Sequence, residues 1–142
     1  MKNEPRSPQK IINQAMYDAV CDGDHRAVLD ALERGADPNW RTVDAEYFQG
    51  LEPTPLFWAI YMGAEDIVDL LVAHGADVNG APDEEPPLLE ALKAYHPGIA
   101  LLLVQAGADL TVKDAKGHTP LELARKEPSI FHEVIGAIKC RM

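Results

Sequence analysis

Short apolar segments with helical spacing recur in pairs along the chain, and one pair lies between Thr54 and Gly75. Thr54 followed by Pro55 favours a helix start, because threonine caps a helix and proline fits its first position. Gly63 ends the first helix and Gly75 the second, since glycine accepts the left-handed conformation that closes a helix. The apolar positions of this pair are Leu56, Ala59, Ile60, Ile67, Val68, Leu70, Leu71 and Val72. The pattern predicts two short amphipathic helices joined by a tight turn.

Two sequence markers repeat with nearly the same period. Gly-Ala-Asp occurs at 35–37, 75–77 and 107–109, and Thr-Pro-Leu or Pro-Pro-Leu occurs at 54–56, 86–88 and 119–121. The spacings are 40 and 32 residues for the first marker, and 32 and 33 for the second. The longer interval indicates an insertion of about seven residues between 39 and 54. Because no single helix pair can bury its apolar face alone, the repetition predicts a stack of units, a short solenoid.

Thr-Pro-Leu, a helix of small residues, Gly, an apolar helix and Gly-Ala-Asp-x-Asn form a unit that resembles the ankyrin repeat. The resemblance covers about residues 11–139. It implies an all-α solenoid of helix–turn–helix units with hairpin-like loops, whose concave face consists of the hairpin tips and the first helices. We expect a polar lead-in at 1–10 and one domain at 11–142, with degenerate first and last units. The expected units are about 11–41, 50–82, 83–115 and 116–140, with the insertion at 40–53.

The chain departs from the family pattern at the position after Thr-Pro-Leu. That position is often histidine in the family, where it ties neighbouring loops together. Here the four units have Tyr17, Phe57, Leu89 and Glu122. The departure puts the family's polar network between repeats in doubt.

Composition narrows the classes of function. The chain has 142 residues, of which 46% are hydrophobic and 25% charged, and this suits one globular domain. Its 23 acidic and 13 basic side chains give a net charge of -10, which repels nucleic-acid backbones and anionic membranes. No apolar run is long enough to span a membrane, and no secretory signal follows Met1. We expect a cytoplasmic protein that binds neither nucleic acid nor membrane, with Cys21 and Cys140 as reduced thiols.

Acidic side chains are concentrated in the middle of the chain. From Thr42 to Leu92 there is no Lys or Arg, while the stretch holds eleven acids. These are Asp44, Glu46, Glu52, Glu65, Asp66, Asp69, Asp77, Asp83, Glu84, Glu85 and Glu90. Such a stretch either keeps a repeat protein soluble or forms an acidic face that attracts a basic partner.

Aromatic side chains cluster in the same region. Six of the nine lie between 40 and 61, namely Trp40, Tyr47, Phe48, Phe57, Trp58 and Tyr61. For Phe57 and Trp58 we favour packing on the core, whereas for the three in the inserted loop burial and exposure are equally open. By the family register, Tyr61 and Met62 fall at the end of a first helix, where ankyrin proteins commonly contact partners. The predicted partner-binding residues are therefore Trp40, Tyr47, Phe48, Tyr61, Met62, Asp44, Glu46, Asp83, Glu84 and Glu85.

The sequence contains few candidate catalytic or metal-binding residues. The five histidines share no metal-ligand spacing, and no nucleophile or phosphate-binding motif is present. The cluster Asp22-Gly23-Asp24-His25 is better explained by structure, with Gly23 breaking between helices and Asp24 capping the second. Cys21 has no basic neighbour that would lower its pKa. We therefore expect no enzyme activity, no metal and no cofactor.

These observations predict a non-catalytic module that binds a partner protein, expected to be basic, through its concave face and inserted loop. A single domain of this kind acts by occupying the surface of another protein, either to mask it or to scaffold a complex. Two roles remain open, an immunity-type inhibitor of a toxin or other enzyme and an adaptor subunit of a larger complex. A structural subunit that self-associates through its last repeat is a further alternative, and a small hydrolase on this scaffold is the least favoured. We expect the free chain to be a monomer.

Overall fold

Helix starts lie where the sequence places proline and capping residues. The computed structural model describes residues 7–41 and 53–142, and six of the eight helices in those ranges begin at proline. The helices are α1 (Pro8–Asp22), α2 (His25–Glu33), α3 (Pro55–Tyr61), α4 (Glu65–Ala73), α5 (Pro87–Lys93), α6 (Pro97–Gln105), α7 (Pro120–Arg125) and α8 (Pro128–Arg141). The first three residues of α1 belong to the segment predicted as a polar lead-in.

Side-chain caps hold four of these helix starts. Ser7, Asp24, Thr54 and Thr119 each accept a hydrogen bond from the backbone N–H three residues further on. Glu122 also reaches back to the Thr119 backbone N–H, which completes a capping box. These contacts satisfy backbone donors that have no partner inside the helix.

The helices form pairs that stack in chain order. In each pair an inner helix (α1, α3, α5 or α7) packs against an outer helix (α2, α4, α6 or α8), and each helix also packs against its equivalent in the next pair. The residues described contain no strand, so the predicted all-α solenoid with hairpin-like loops is confirmed. The core runs along the stack, and its largest fully buried side chains are Phe131, Met16, Leu56, Ile60, Ile67, Leu71, Leu88, Leu89, Ile99, Leu103, Ile138 and Val20.

The glycines of the Gly-Ala-Asp markers follow the outer helices α2, α4 and α6. Gly35, Gly75 and Gly107 have φ values of 98°, 99° and 98°, in the left-handed region that glycine adopts without steric cost. The predicted closing role of these glycines is therefore confirmed.

Polar side chains join neighbouring repeats, although the sequence had put this network in doubt. The side-chain oxygen of Asn39 accepts the backbone N–H of Asp77 at 2.8 Å, and that of Asn79 accepts the N–H of Asp109 at 2.8 Å. Tyr17, at a position that is often histidine in the family, makes an inter-repeat link as well. Its hydroxyl donates to the carbonyl oxygen of Pro53 at 2.5 Å. A tyrosine hydroxyl and asparagine amides therefore link the repeats here, because both groups can donate and accept hydrogen bonds.

The last helix also caps an earlier one. The Arg141 guanidinium donates to the carbonyl oxygens of Val104 and Ala108 at 3.1 and 2.7 Å, at the end of α6. Val104 lies in the last turn of α6 and Ala108 in the turn that follows, where the negative end of the helix dipole favours a cation. Within 7–41 and 53–142, no helix has the length and apolar character needed to cross a membrane.

Candidate protein-binding surface

The open side of the inner helices is the surface on which exposed rings meet. Each inner helix is covered by its outer helix and by neighbouring inner helices, so its exposed side chains mark the remaining side. On α3, the side chains of Tyr61 and Met62 are 64% and 40% exposed. Both are predicted contact residues, and the structure places them side by side at the end of the helix.

Two other rings of α3 hold Tyr61 in place. The Phe57 and Tyr61 rings stack with centroids 6.3 Å apart and planes 10° apart. Trp58 meets the Tyr61 ring edge-on, with centroids 5.9 Å apart. Trp58 packs against the core as predicted, whereas Phe57 is half-buried beside Tyr61. Tyr61 is therefore an exposed ring on a rigid support, which limits the side-chain entropy lost on binding.

Trp40 is half-buried and packs against the core. Its ring meets Tyr17 edge-on, with centroids 6.1 Å apart. The Trp58 indole N–H donates to the same tyrosine hydroxyl at 2.8 Å. Trp40 thus belongs to an aromatic link between the first two repeats and presents only part of its ring outward. The other predicted contacts in the insertion, Asp44, Glu46, Tyr47 and Phe48, lie outside the described residues.

The three predicted contact acids of the next hairpin are each engaged within the chain. Asp83 forms a bidentate ion pair with Arg41, in which the two guanidinium nitrogens lie 2.9 and 3.1 Å from the two carboxylate oxygens. Glu84 accepts hydrogen bonds from the backbone N–H and the hydroxyl of Thr54, at 3.2 and 3.4 Å. These carboxylates therefore stabilise the fold, which leaves less of their charge for a partner.

Glu85 forms an ion pair with Lys93 at 2.7 Å. Arg41 and Lys93 immediately precede and follow the stretch without Lys or Arg. Each forms an ion pair with an acid inside that stretch. The sequence did not predict these ion pairs, because both cations lie just outside the acidic stretch from Thr42 to Leu92.

Several pKa values reflect these contacts. The hydrogen bond from Arg41 lowers the pKa of Asp83 below its ordinary value. The hydrogen bond with Glu85 raises the pKa of Lys93. Burial, followed by the negative charge of Glu85, raises the pKa of Glu90. Glu90 lies on α5, so the open side carries one carboxylate whose ionised form is disfavoured by its surroundings.

Basic residues lie near the ends of the third and fourth inner helices. The last turn of α1 ends at Asp22, and the end of α3 presents Tyr61 and Met62. The last turns of α5 and α7 carry Lys93 and Arg125, and Lys93 pairs with Glu85. The inner helices therefore carry basic as well as acidic residues.

The candidate catalytic cluster has a structural role. Gly23 adopts a left-handed conformation with φ of 69°, and the Asp24 carboxylate accepts the backbone N–H of Ala27 at 3.1 Å. Among the described residues, no group of three or more His, Cys, Asp or Glu side chains could hold a metal ion. Cys21 and Cys140 are both exposed.

Comparison with known proteins agrees with the geometry. A family model described as ankyrin repeats, in three copies, matches residues 16–114. The chain belongs to the ankyrin-repeat family. This family is generally non-catalytic, and its repeats serve protein–protein interaction.

Relatives of very different length share these repeats. Rat cyclin-dependent kinase 4 inhibitor B is 32% identical over 111 residues, which cover 77% of this ankyrin-repeat chain and 79% of the relative. The mouse B-cell lymphoma 3 protein homolog is 36% identical over 114 residues, covering 78% and 24%. The Drosophila melanogaster E3 ubiquitin-protein ligase Ufd4 is 29% identical over 126 residues, covering 89% and 4%. The chain thus spans about 4% of the length of that ligase, and the match concerns the repeats alone.

Proposed function

We propose that this chain is a non-catalytic module that binds a partner protein through the open side of its inner helices. The centre of the contact is Tyr61 with Met62, and Trp40, Tyr47 and Phe48 extend it toward the insertion. The module acts by masking the surface that it covers.

The observation that carries this proposal is the exposed but supported ring of Tyr61. Phe57 and Trp58 pack against it on α3, so its position is set before a partner arrives. Tyrosine and tryptophan are enriched among residues that dominate binding energy, and a pre-positioned ring loses little entropy. Tyr61 and Met62 together give an exposed aromatic and methionine contact, and both residue types are enriched at interface centres.

The partner is expected to present a basic patch. The chain carries a net charge of -10, which speeds the approach of a cationic surface. Asp83, Glu84 and Glu85 contribute to this long-range field but are engaged in internal contacts. Asp44 and Glu46 are the acids proposed to meet the partner directly. The charge effect should therefore appear mainly in the association rate.

Masking is favoured over scaffolding by one relative. Rat cyclin-dependent kinase 4 inhibitor B is named as an inhibitor, and the match covers 79% of its length. A set of repeats like this one can block a partner by occupying its surface, as an immunity-type inhibitor would. The adaptor alternative draws on the ubiquitin ligases, in which matching repeats make up 4% of a much longer protein.

Site-specific photo-crosslinking tests the proposal. A photoreactive phenylalanine analogue replaces Tyr61 in one variant and Ile130, 40% exposed on α8, in a matched control. In the native cell, the Tyr61 variant should capture one protein that the Ile130 variant does not. Equal capture at both positions, or none at position 61, would contradict a binding surface centred on α3.

Two measurements with the captured protein separate the remaining roles. The association rate should fall as salt rises to physiological strength, because screening then acts within about 8–10 Å. A salt-independent rate would argue against a basic partner. If the captured protein has an activity, masking predicts that equimolar chain reduces it, while an adaptor leaves it unchanged.

A further inference from the structure

The same tight turn joins the inner and outer helix in three successive pairs. In each, the residue after the left-handed position donates its backbone N–H to the carbonyl five residues earlier. These bonds are Asp24 to Ala19, Ala64 to Ala59 and His96 to Ala91, each 2.9 Å long. The left-handed position is Gly23 in the first turn and Gly63 in the second, but Tyr95 in the third, with φ values of 69°, 71° and 58°.

Tyr95 occupies a backbone conformation that suits glycine. A Cβ in the left-handed region lies too close to the following carbonyl oxygen, and bulky residues are rare there. The two equivalent turns show that glycine closes the same hydrogen bonds at this place in the repeat. The tyrosine ring is therefore present at a steric cost that the turn itself does not require.

One face of the ring is used within the chain and the other is open. The Tyr95 ring stacks on Phe131, with centroids 6.4 Å apart and planes 17° apart. Phe131 is buried, so Tyr95 covers it on the outside. The tyrosine side chain remains 59% exposed. Much of the ring is therefore accessible to a partner.

The turn that carries Tyr95 adjoins the turn that follows Tyr61 and Met62. The imidazole of His96 lies against Gly63, because its Cε1 is 2.9 Å from the point where a Cβ at Gly63 would sit. The turn that holds Tyr95 is therefore next to the turn that follows Tyr61 and Met62. The three exposed side chains lie along one edge of the second and third repeats.

We propose that Tyr95 is a contact residue for an arginine of the partner protein, whose guanidinium stacks on the open ring face. The proposal rests on the proposed function, since it adds a contact to the same surface. Arginine suits this place because its planar group stacks on aromatic faces and its charge is attracted by the negative face of the ring. The net charge of -10 favours the same occupant.

Stability measurements separate a binding role from a packing role. Tyr95→Asn removes the ring and keeps a side chain that tolerates the left-handed region, and Tyr95→Gly also removes the steric cost. If the ring serves binding, the melting temperature of Tyr95→Gly equals or exceeds that of the wild type. A fall of more than about 4 °C in both variants would mean that the ring mainly stabilises the fold through Phe131.

Peptide binding tests the chemistry of the occupant. The probes are a nine-residue arginine peptide and its lysine counterpart, titrated calorimetrically at the same ionic strength. Tyr95→Gly should reduce the preference for the arginine peptide by about two- to fivefold, the size of an exposed cation–π contact. Tyr95→Phe, the matched control, should keep it. An unchanged preference in Tyr95→Gly, or no binding of the arginine peptide to the wild type, would overturn the proposal.

The peptide titration and the crosslinking experiment distinguish failure of the Tyr95 proposal from failure of the proposed function. Photo-crosslinking at Tyr61 tests whether the surface meets a protein at all, without reference to Tyr95. If crosslinking fails while the arginine preference depends on Tyr95, only the proposed function is wrong. If crosslinking succeeds and the preference is unaffected, only the role of Tyr95 is wrong.

Discussion

The Trp58 indole N–H donates a hydrogen bond to the Tyr17 hydroxyl, across 41 positions of sequence and between the first two repeats. The same hydroxyl donates to the carbonyl oxygen of Pro53. One phenolic oxygen therefore satisfies two groups of the second repeat and joins it to α1. Because Tyr17 is buried, water cannot replace it easily.

Tyr17→Phe should destabilise the fold by about 1–3 kcal/mol, the cost of leaving buried polar groups without a partner. Urea unfolding measures this as a lower midpoint with an unchanged slope. Tyr61→Phe is the matched control, since that side chain is exposed, and its effect should stay within about 0.5 kcal/mol. Equal effects of the two variants would show that the Tyr17 hydroxyl does not carry the link.

Asn39→Ala should cost more stability than Asn79→Ala. Asn39 accepts the N–H of Asp77 and also donates to the carbonyl of Gly75 at 3.2 Å, whereas Asn79 accepts the N–H of Asp109. Each bond contributes about 0.5–1.5 kcal/mol. Asn39→Asp keeps the acceptor and loses the donor, so its midpoint in urea should lie between wild type and alanine. If Asn39→Ala lost less stability than Asn79→Ala, the contributions of the two Asn39 hydrogen bonds would not be additive.

Glu90→Gln should raise the melting temperature at pH 7 by at most a few degrees. Burial raises the pKa of Glu90, so the native state keeps the proton to higher pH than the unfolded chain. Ionised Glu90 therefore opposes folding at neutral pH, and this effect disappears as pH falls below both pKa values.

Thermal scans at pH 7 and at about pH 4 check this, because the unperturbed pKa of glutamate is close to 4.3. The gain from Glu90→Gln should shrink at the lower pH. Glu133→Gln, at an exposed position of α8, is the control that removes one carboxylate elsewhere on the chain. A gain that is independent of pH would point to packing.

Asp83→Asn should lower the melting temperature slightly at pH 7 and low salt. The hydrogen bond from Arg41 lowers the pKa of Asp83, so its contribution is present above the unfolded pKa and lost as pH falls through the folded one. The difference from wild type should therefore persist down to about pH 4, shrink as the pH falls further, and weaken at high salt. Asp69→Asn, on the exposed face of α4, serves as the control. A loss that survives acid and salt would mean that the ion pair is not its source.

Local features were predictable from sequence, as Thr119 and Glu122 show. Their capping box joins two residues three positions apart at one helix start, so it depends on local sequence alone. Gly75 closes its helix for a similarly local reason. The link through Tyr17 was missed, since the sequence did not reveal which group its hydroxyl would meet. Tyr61 was found by family register, but its support by Phe57 and Trp58 required side-chain positions.

The sequence by itself determined the repeated helix pairs, their order and their closing turns, because periodicity, caps and glycines act within a few residues. The tertiary structure decided which charges remain available, since Arg41 reaches Asp83 across 42 positions. It also decided that Tyr95 stands exposed in a turn where the first two repeats have glycine. Such contacts depend on how successive pairs stack, and a linear pattern does not specify the distance between side chains of different repeats.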